Sequence, residues 1–254
     1  MIRVGVLSPH EAVGAEVELP LMAPDHVRAA VSRIRPGGPD RDPGVSPPGS
    51  AEGLRALATH EAIDEALSAF APGSVDVLGY ASTSSAYALG YDTESRLVER
   101  VSERWAVPVC STSMAAVMAL RSFHVDRVAL VHPPWFGAAL NDLGVTYFRS
   151  QGFSVVESSL AGVANDPDAV VPGMVVDWVA RHVSDDADAV FIGGNGFRAG
   201  AAIGELEDRL GRLVLESNQV LLWSILAQAG VSADIRGFGM LFEKSPHPDR
   251  HPRR

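Results

Sequence analysis

The sequence predicts an α/β protein of two pseudo-symmetric halves, each built on a parallel sheet, with a cleft between them. Short apolar runs alternate with longer amphipathic segments, which is the pattern of parallel strands joined by crossover helices. The same succession of blocks then occurs twice in the chain. With 254 residues, of which 46% are hydrophobic, there is material for one large core or two small ones.

The apolar runs are RVGVLS (3–8), VDVLGY (75–80), VPVC (107–110), RVALVH (127–132), FSVVES (153–158), ADAVFI (187–192) and RLVLES (212–217), with a further strand ending near Arg33. Between them, residues 52–70, 94–105, 113–123, 136–151, 168–184, 200–210 and 218–229 repeat apolar positions at three- and four-residue steps, so each is expected to be a helix. The stretch PGGPDRDPGVSPPGS (36–50) holds five prolines in fifteen residues and excludes both helix and strand. A loop of that length reads as a lid or binding segment.

The repeat pairs Arg3–Pro9 with Arg127–Pro133, Asp76–Ser84 with Asp188–Gly196, and Val109–Thr112 with Leu215–Asn218. The expected division is therefore an N-terminal half over 1–121, a C-terminal half over 122–230, a segment 231–243 packing back on the first half, and a flexible tail over 244–254. In parallel α/β sheets ligands bind beyond the carboxyl ends of the strands, so a site is expected where the two sets of strand ends face each other.

Charge and composition narrow the function. A net charge of −10 argues against nucleic acid or an anionic membrane as partner. The single cysteine, Cys110, excludes an intrachain disulfide and a cysteine-rich metal site, so no metal is expected. Cys110 closes an apolar strand and reads as a small buried hydrophobe. Neither a signal-peptide pattern nor an apolar run of about 18 residues is present, so a cytoplasmic protein is expected. No GxGxxG or GxxxxGK[ST] follows either first strand, so nothing points to a dinucleotide or ATP.

The residues that could carry chemistry lie at strand ends. Ser82, Thr83 and Ser84 follow one strand; Gly194, Asn195 and Gly196 follow its repeat counterpart. Hydroxyls, an amide and glycine-exposed N–H groups suit a carboxylate or enolate oxygen, although Ser and Thr there also read as helix caps. His10 and Glu11, directly after the first strand, read as a solvated loop pair or as a general acid/base pair at the cleft mouth. His132 holds the equivalent place in the repeat, as a satisfied buried histidine or a base. Trp135 and Phe136 follow it, either packing or forming an apolar wall. Asn218 reads as a helix N-cap first and a ligand-facing amide second. Arg33 and Arg35 either draw a carboxylate into the cleft or form surface ion pairs.

The segments RVGVLSP…E, VDVLGYASTSSAY, PVCSTSMAAVMAL, DAVFIGGNGFRA, LESNQVLLW and GFGMLFE together resemble the aspartate/glutamate racemase superfamily, closest to maleate cis-trans isomerase and arylmalonate decarboxylase. The resemblance implies two Rossmann-like halves, no cofactor, and bond-making at the carbon next to a carboxylate. It also implies two catalytic cysteines, whose places are taken here by Ser82 and Gly194. Ala12 stands where the isomerases carry a carboxylate-holding asparagine, and Trp135 where they carry a tyrosine. The loss of both thiols excludes a two-base racemase.

The expected function is thus a cofactor-independent isomerase or decarboxylase of a small maleate- or malonate-like carboxylate, working through an enolate-like intermediate. Ser82, His10, Glu11 and His132 are the candidate catalytic residues. Thr83, Ser84, Trp135, Gly194, Asn195, Gly196 and Asn218 are the candidate substrate-binding residues. A small-molecule carboxylate is the expected partner, and a homo-oligomer is compatible with this reading. A diverged lyase, cyclase or dehydratase and a non-catalytic carboxylate-binding protein remain as alternatives. With the cysteine missing at Gly194, the turn 193–196 is expected to serve as an anion cradle or to leave room for a larger substrate.

Overall fold

The computed structural model describes residues 1–35 and 49–244. The proline-rich stretch, apart from its last two residues, and the tail beyond 244 lie outside the described residues. The first half contains β1 (Ile2–Ser8), α1 (Ala15–Met22), β2 (Val27–Arg33), α2 (Ala51–Ala56), α3 (His60–Leu67), β3 (Val77–Tyr80), α4 (Thr83–Leu89), α5 (Tyr91–Trp105), β4 (Val109–Ser111) and α6 (Thr112–Ser122). The second contains β5 (Arg127–His132), α7 (Gly137–Ser150), β6 (Ser154–Leu160), α8 (Pro172–His182), β7 (Ala189–Ile192), α9 (Ile203–Leu210), β8 (Leu213–Glu216), α10 (Ser217–Ala229) and α11 (Met240–Lys244).

Two four-stranded parallel sheets result, ordered β2-β1-β3-β4 and β6-β5-β7-β8. Their registers repeat: Val4 pairs with Val77, and its counterpart Val128 with Ala189. Even a surface ion pair is duplicated, Arg3 to Asp76 at 2.6 Å and Arg127 to Asp188 at 2.8 Å. Both pairs are exposed, so they mark the symmetry more than they stabilise it.

The expected helix over 52–70 is two helices. Thr59 interrupts it by accepting a hydrogen bond from the Ala62 N–H, which caps α3 and starts a new axis. The expected helix from 168 begins only at Pro172, which occupies the first turn because its missing N–H is not needed there. Helices α1, α4 and α11 go beyond the periodicity reading. Six of the seven residues of α4 are buried, so no polar face marks it, and Pro20 inside α1 breaks the usual signal.

Two helices cross between the halves. Helix α6 leaves the first sheet, yet Ala115, Ala116, Ala119 and Leu120 share a core with Val128, Leu130, Phe191 and Leu215 of the second. Helix α10 leaves the second sheet, and its Leu221, Leu222, Ile225 and Leu226 share a core with Val4, Val6 and Val77 of the first. Glu94 joins the halves at another point. Its buried carboxyl receives hydrogen bonds from the hydroxyls of Ser111 and Tyr147, and burial pushes its pKa up to about 7. A carboxyl raised from 4.5 to about 7 stabilises the fold fully below pH 4.5, and that contribution is lost as pH rises through 7. The full span is on the order of 3 kcal/mol. Urea unfolding of Glu94→Gln should lose this downward slope; an unchanged slope would show that another group carries it.

Candidate active site

The carboxyl ends of the two sheets meet through their loops. The β1–α1 loop lies on the turn after β7: a Cβ on Gly14 would stand 2.8 Å from the Asn195 carbonyl oxygen, and one on Gly196 would stand 3.2 Å from the Ala12 Cβ. The turn after β3 meets the same segment. Asn195 Oδ1 accepts from the Thr83 N–H and hydroxyl, each at 3.3 Å, and the Gly194 N–H donates to Thr83 Oγ1 at 3.2 Å. Thr83 Oγ1 also lies 3.1 Å from Ser217 Oγ. Thr83, Ser84, Gly194, Asn195 and Gly196 are therefore brought together, as their repeat positions suggested.

Much of their polarity is already spent within the protein. Asn195 Nδ2 donates to Thr112 Oγ1 at 3.0 Å and to Asn218 Oδ1 at 2.8 Å. Asn218 is not the cap of α10. That place belongs to Glu216, whose carboxylate accepts from the N–H groups of Asn218 and Gln219 while the Gln219 side chain answers from the other direction. Asn218 turns instead to Glu18 Oε2, at 2.6 Å, and to the Asn195 carbonyl, at 2.8 Å. Ser84 differs from all of these: its hydroxyl is buried and has no hydrogen-bond partner. Tyr80, Ser85 and, in the first turn of α6, Ser113 carry further such hydroxyls.

Ser82 caps α4, its Oγ accepting from the Ser85 N–H at 3.1 Å. Among the described residues no hydrogen bond links Ser82 to His10, Glu11 or His132. His132 is fully buried. Its Nδ1 faces Asn141 Oδ1 at 2.8 Å, an oxygen that also accepts from Ser158, so Nδ1 carries the proton. Nε2 then accepts from the Tyr87 hydroxyl at 3.0 Å. Burial, only partly offset by Asn141, pushes the imidazole pKa down to about 4, so the ring is neutral at pH 7. Phe136 stacks on it at 5.4 Å, and Trp135 packs edge-on against Phe197 at 5.7 Å.

His10 is half-buried and also neutral at pH 7, with its pKa pushed down to about 4 by burial first and by the Arg33 charge second. The carboxylate that acts on it is that of Glu16, which pairs with Arg33 and accepts from the Gly14 N–H at 3.1 Å. Glu11, its neighbour in sequence, is exposed, as is Arg35. Cys110 is buried in the first core, where the loss of solvent pushes its pKa up to about 12 and keeps it a thiol.

The glycines after β7 do not leave vacant room, which corrects one of the two expectations for position 194. A Cβ on Gly193 would stand 2.6 Å from His132 Cδ2, and one on Gly194 would stand 3.0 Å from the Pro133 ring. Gly194 also has φ +97°, a backbone conformation that favours glycine. The space beside the turn is thus filled by His132 and Pro133. The long-range partners Glu18, Thr112, Ser217, Tyr87 and Asn141 escaped the sequence reading because no local pattern announces them.

No group of three His, Cys, Asp or Glu residues among the described residues is arranged to hold a metal ion. No described helix is long and apolar enough to cross a membrane.

The architecture is shared with solved enzymes. A maleate cis-trans isomerase from Nocardia farcinica, a mutant holding a covalently bound succinylcysteine intermediate, superposes with a TM-score of 0.80 at 24% identity, over 96% of this chain and 99% of that one. The maleate isomerase Iso from Pseudomonas putida S16 gives a TM-score of 0.76 at 21% identity, over 96% and 98%. Unliganded arylmalonate decarboxylase gives 0.77 at 21%, over 96% and 100%. No curated protein sequence matches the chain. The family model described as arylmalonate decarboxylase matches residues 54–242, which takes in β3 to β8 and both facing turns, and the chain belongs to that family.

Proposed function

We propose that the chain is a cofactor-independent isomerase or decarboxylase acting on a small maleate- or malonate-like carboxylate through an enolate-like intermediate. The observation that carries this reading is the buried, unpartnered hydroxyl of Ser84 on a turn locked to the Gly194–Gly196 turn of the other half. An enolate places negative charge on carboxylate oxygens in the transition state, and fixed donors already free of other partners stabilise it without reorganisation. Thr83, Asn195 and Asn218 hold the two turns in place, and Gly196 adds half-buried backbone. Trp135 and Phe136 border the site on its apolar side.

Proton transfer falls to Ser82, whose own hydroxyl proton is not used by the cap, with neutral His10 as the accepting group and Glu11 at the mouth. His132 has both ring nitrogens engaged and contributes by shaping the turn. The substrate is a free small molecule in the cytoplasm, with no nucleic acid or membrane involved.

Incubation with maleate and phenylmalonate in D2O, followed by NMR, tests this directly. Conversion or deuterium incorporation is expected, and Ser84→Ala should lower kcat by about 100-fold. The same variant should leave the melting temperature unchanged or raised, because the deleted hydroxyl has no partner to lose. Absence of both conversion and exchange in the wild type would remove the proposal. The lack, among the described residues, of any hydrogen bond between Ser82 and His10, Glu11 or His132 favours a second reading, a carboxylate-binding protein. Thermal stabilisation by these compounds without turnover would select it.

A further inference from the structure

Glu18 lies inside α1, in the first half, and is buried. Its Oε1 accepts from the Gly200 N–H at 3.1 Å and its Oε2 from Asn218 Nδ2 at 2.6 Å. Asn218 Nδ2 also donates to the Asn195 carbonyl at 2.8 Å, and Asn218 Oδ1 receives Asn195 Nδ2 at 2.8 Å. One carboxyl of the first half therefore holds both ends of residues 195–200 in the second. We infer that Glu18 is a positioning residue: acting through Asn218 and Gly200 from the opposite half, it fixes the backbone of the turn that is bonded to Thr83, the neighbour of Ser84.

Burying a carboxyl is unfavourable unless its oxygens are occupied, and both oxygens of Glu18 are occupied by donors of the second half, the Gly200 N–H and Asn218 Nδ2. Two further titratable groups act on the network. Glu216 is buried beside it, with Oε2 bonded to the Asn218 and Gln219 N–H groups and Oε1 without a partner. Arg198 lies close enough to favour the ionised form of Glu18, yet burial dominates and raises the carboxyl above its ordinary range. The inference rests on the proposed reading of the site, so its first readout needs no substrate.

Amide hydrogen exchange of the full chain, read by mass spectrometry, compares wild type with Glu18→Gln and Gly200→Ala. The second variant leaves Glu18 in place but sets a Cβ 2.9 Å from its Oε1, which displaces the carboxyl. In both variants peptides covering 193–202 should exchange roughly tenfold faster, with peptides from β1 and β5 unchanged. In wild type the protection of 193–202 should fall as pH rises, because opening returns the raised carboxyl to its ordinary range. The slope should shrink in Glu18→Gln, where only Glu216 still titrates and Arg198 stays charged. With whichever of maleate or phenylmalonate is turned over, kcat should fall about tenfold or more at nearly constant KM. Unchanged protection in both variants, or a loss spread evenly over all peptides, overturns the inference. If neither compound is turned over, the proposed reaction fails, while the exchange data still decide the role of Glu18.

Discussion

Gly194→Cys, which restores the thiol that the family resemblance places at this position, is expected to destabilise the protein by about 2–6 kcal/mol and to leave it without a usable nucleophile. Two independent terms add. A side chain at φ +97° costs roughly 1–3 kcal/mol of backbone strain. Its Cβ would also press on the Pro133 ring at 3.0 Å, and overpacking of this kind costs about 1–3 kcal/mol. Relief of the strain would move the Gly194 N–H away from Thr83 Oγ1 and loosen the tie between the halves. The expected melting-point drop is on the order of 5–15 °C for a chain of this size. Adding Pro133→Ala should recover the packing part and leave the strain. A single variant with wild-type melting temperature and a readily titrated thiol would show that the turn is free to accept a side chain.

Asn195→Asp should be worse than its small change in shape suggests. The new oxygen would stand where Nδ2 now donates, 2.8 Å from Asn218 Oδ1, so an acceptor would face an acceptor. Asn218 cannot simply rotate, since its own Nδ2 is held by Glu18 and by the Asn195 carbonyl. A buried charge without a cation, together with two lost hydrogen bonds, gives an expected loss of about 3–5 kcal/mol at neutral pH. The new carboxyl would have its folded-state pKa raised by burial, so the penalty is fully present at neutral pH and shrinks as pH falls toward the ordinary range of about 4. Urea unfolding at two pH values reads both effects. Equal stability to wild type at neutral pH would place the Asn195 amide in solvent rather than between the halves.

The apolar runs located seven of the eight described strands because buried parallel strands are largely continuous hydrophobic segments, whereas β2, with several exposed residues, carries no such run; the internal repeat predicted two similar halves, and their sheet orders match. Helix α4 escaped because burial all round leaves no periodic polar face. The two turns were legible because both follow strands of the repeat, as Thr83 and Asn195 show. Pairing was not legible from proximity in sequence: His10 is followed by Glu11, yet Glu16 is the carboxylate acting on it, since the loop after β1 turns Glu11 outward. Likewise the cap of α10 lay two residues before Asn218. Partners 182 and 200 residues apart, as for Glu18 with Gly200 and Asn218, are set by the meeting of the halves and leave no local trace.

The crossing of α6 and α10 has a consequence for how the chain comes into being on the ribosome. The first sheet is synthesised early, but Leu221 and Ile225, which lie against Gly79 in its β3, come from the far end of the chain. The nascent first half must therefore wait, one face of its sheet uncovered, until the whole second half has been made. The helix it releases meanwhile, α6, supplies part of the core on which the second half condenses. What is translated first is completed last, because each half takes part of its core from a helix of the other.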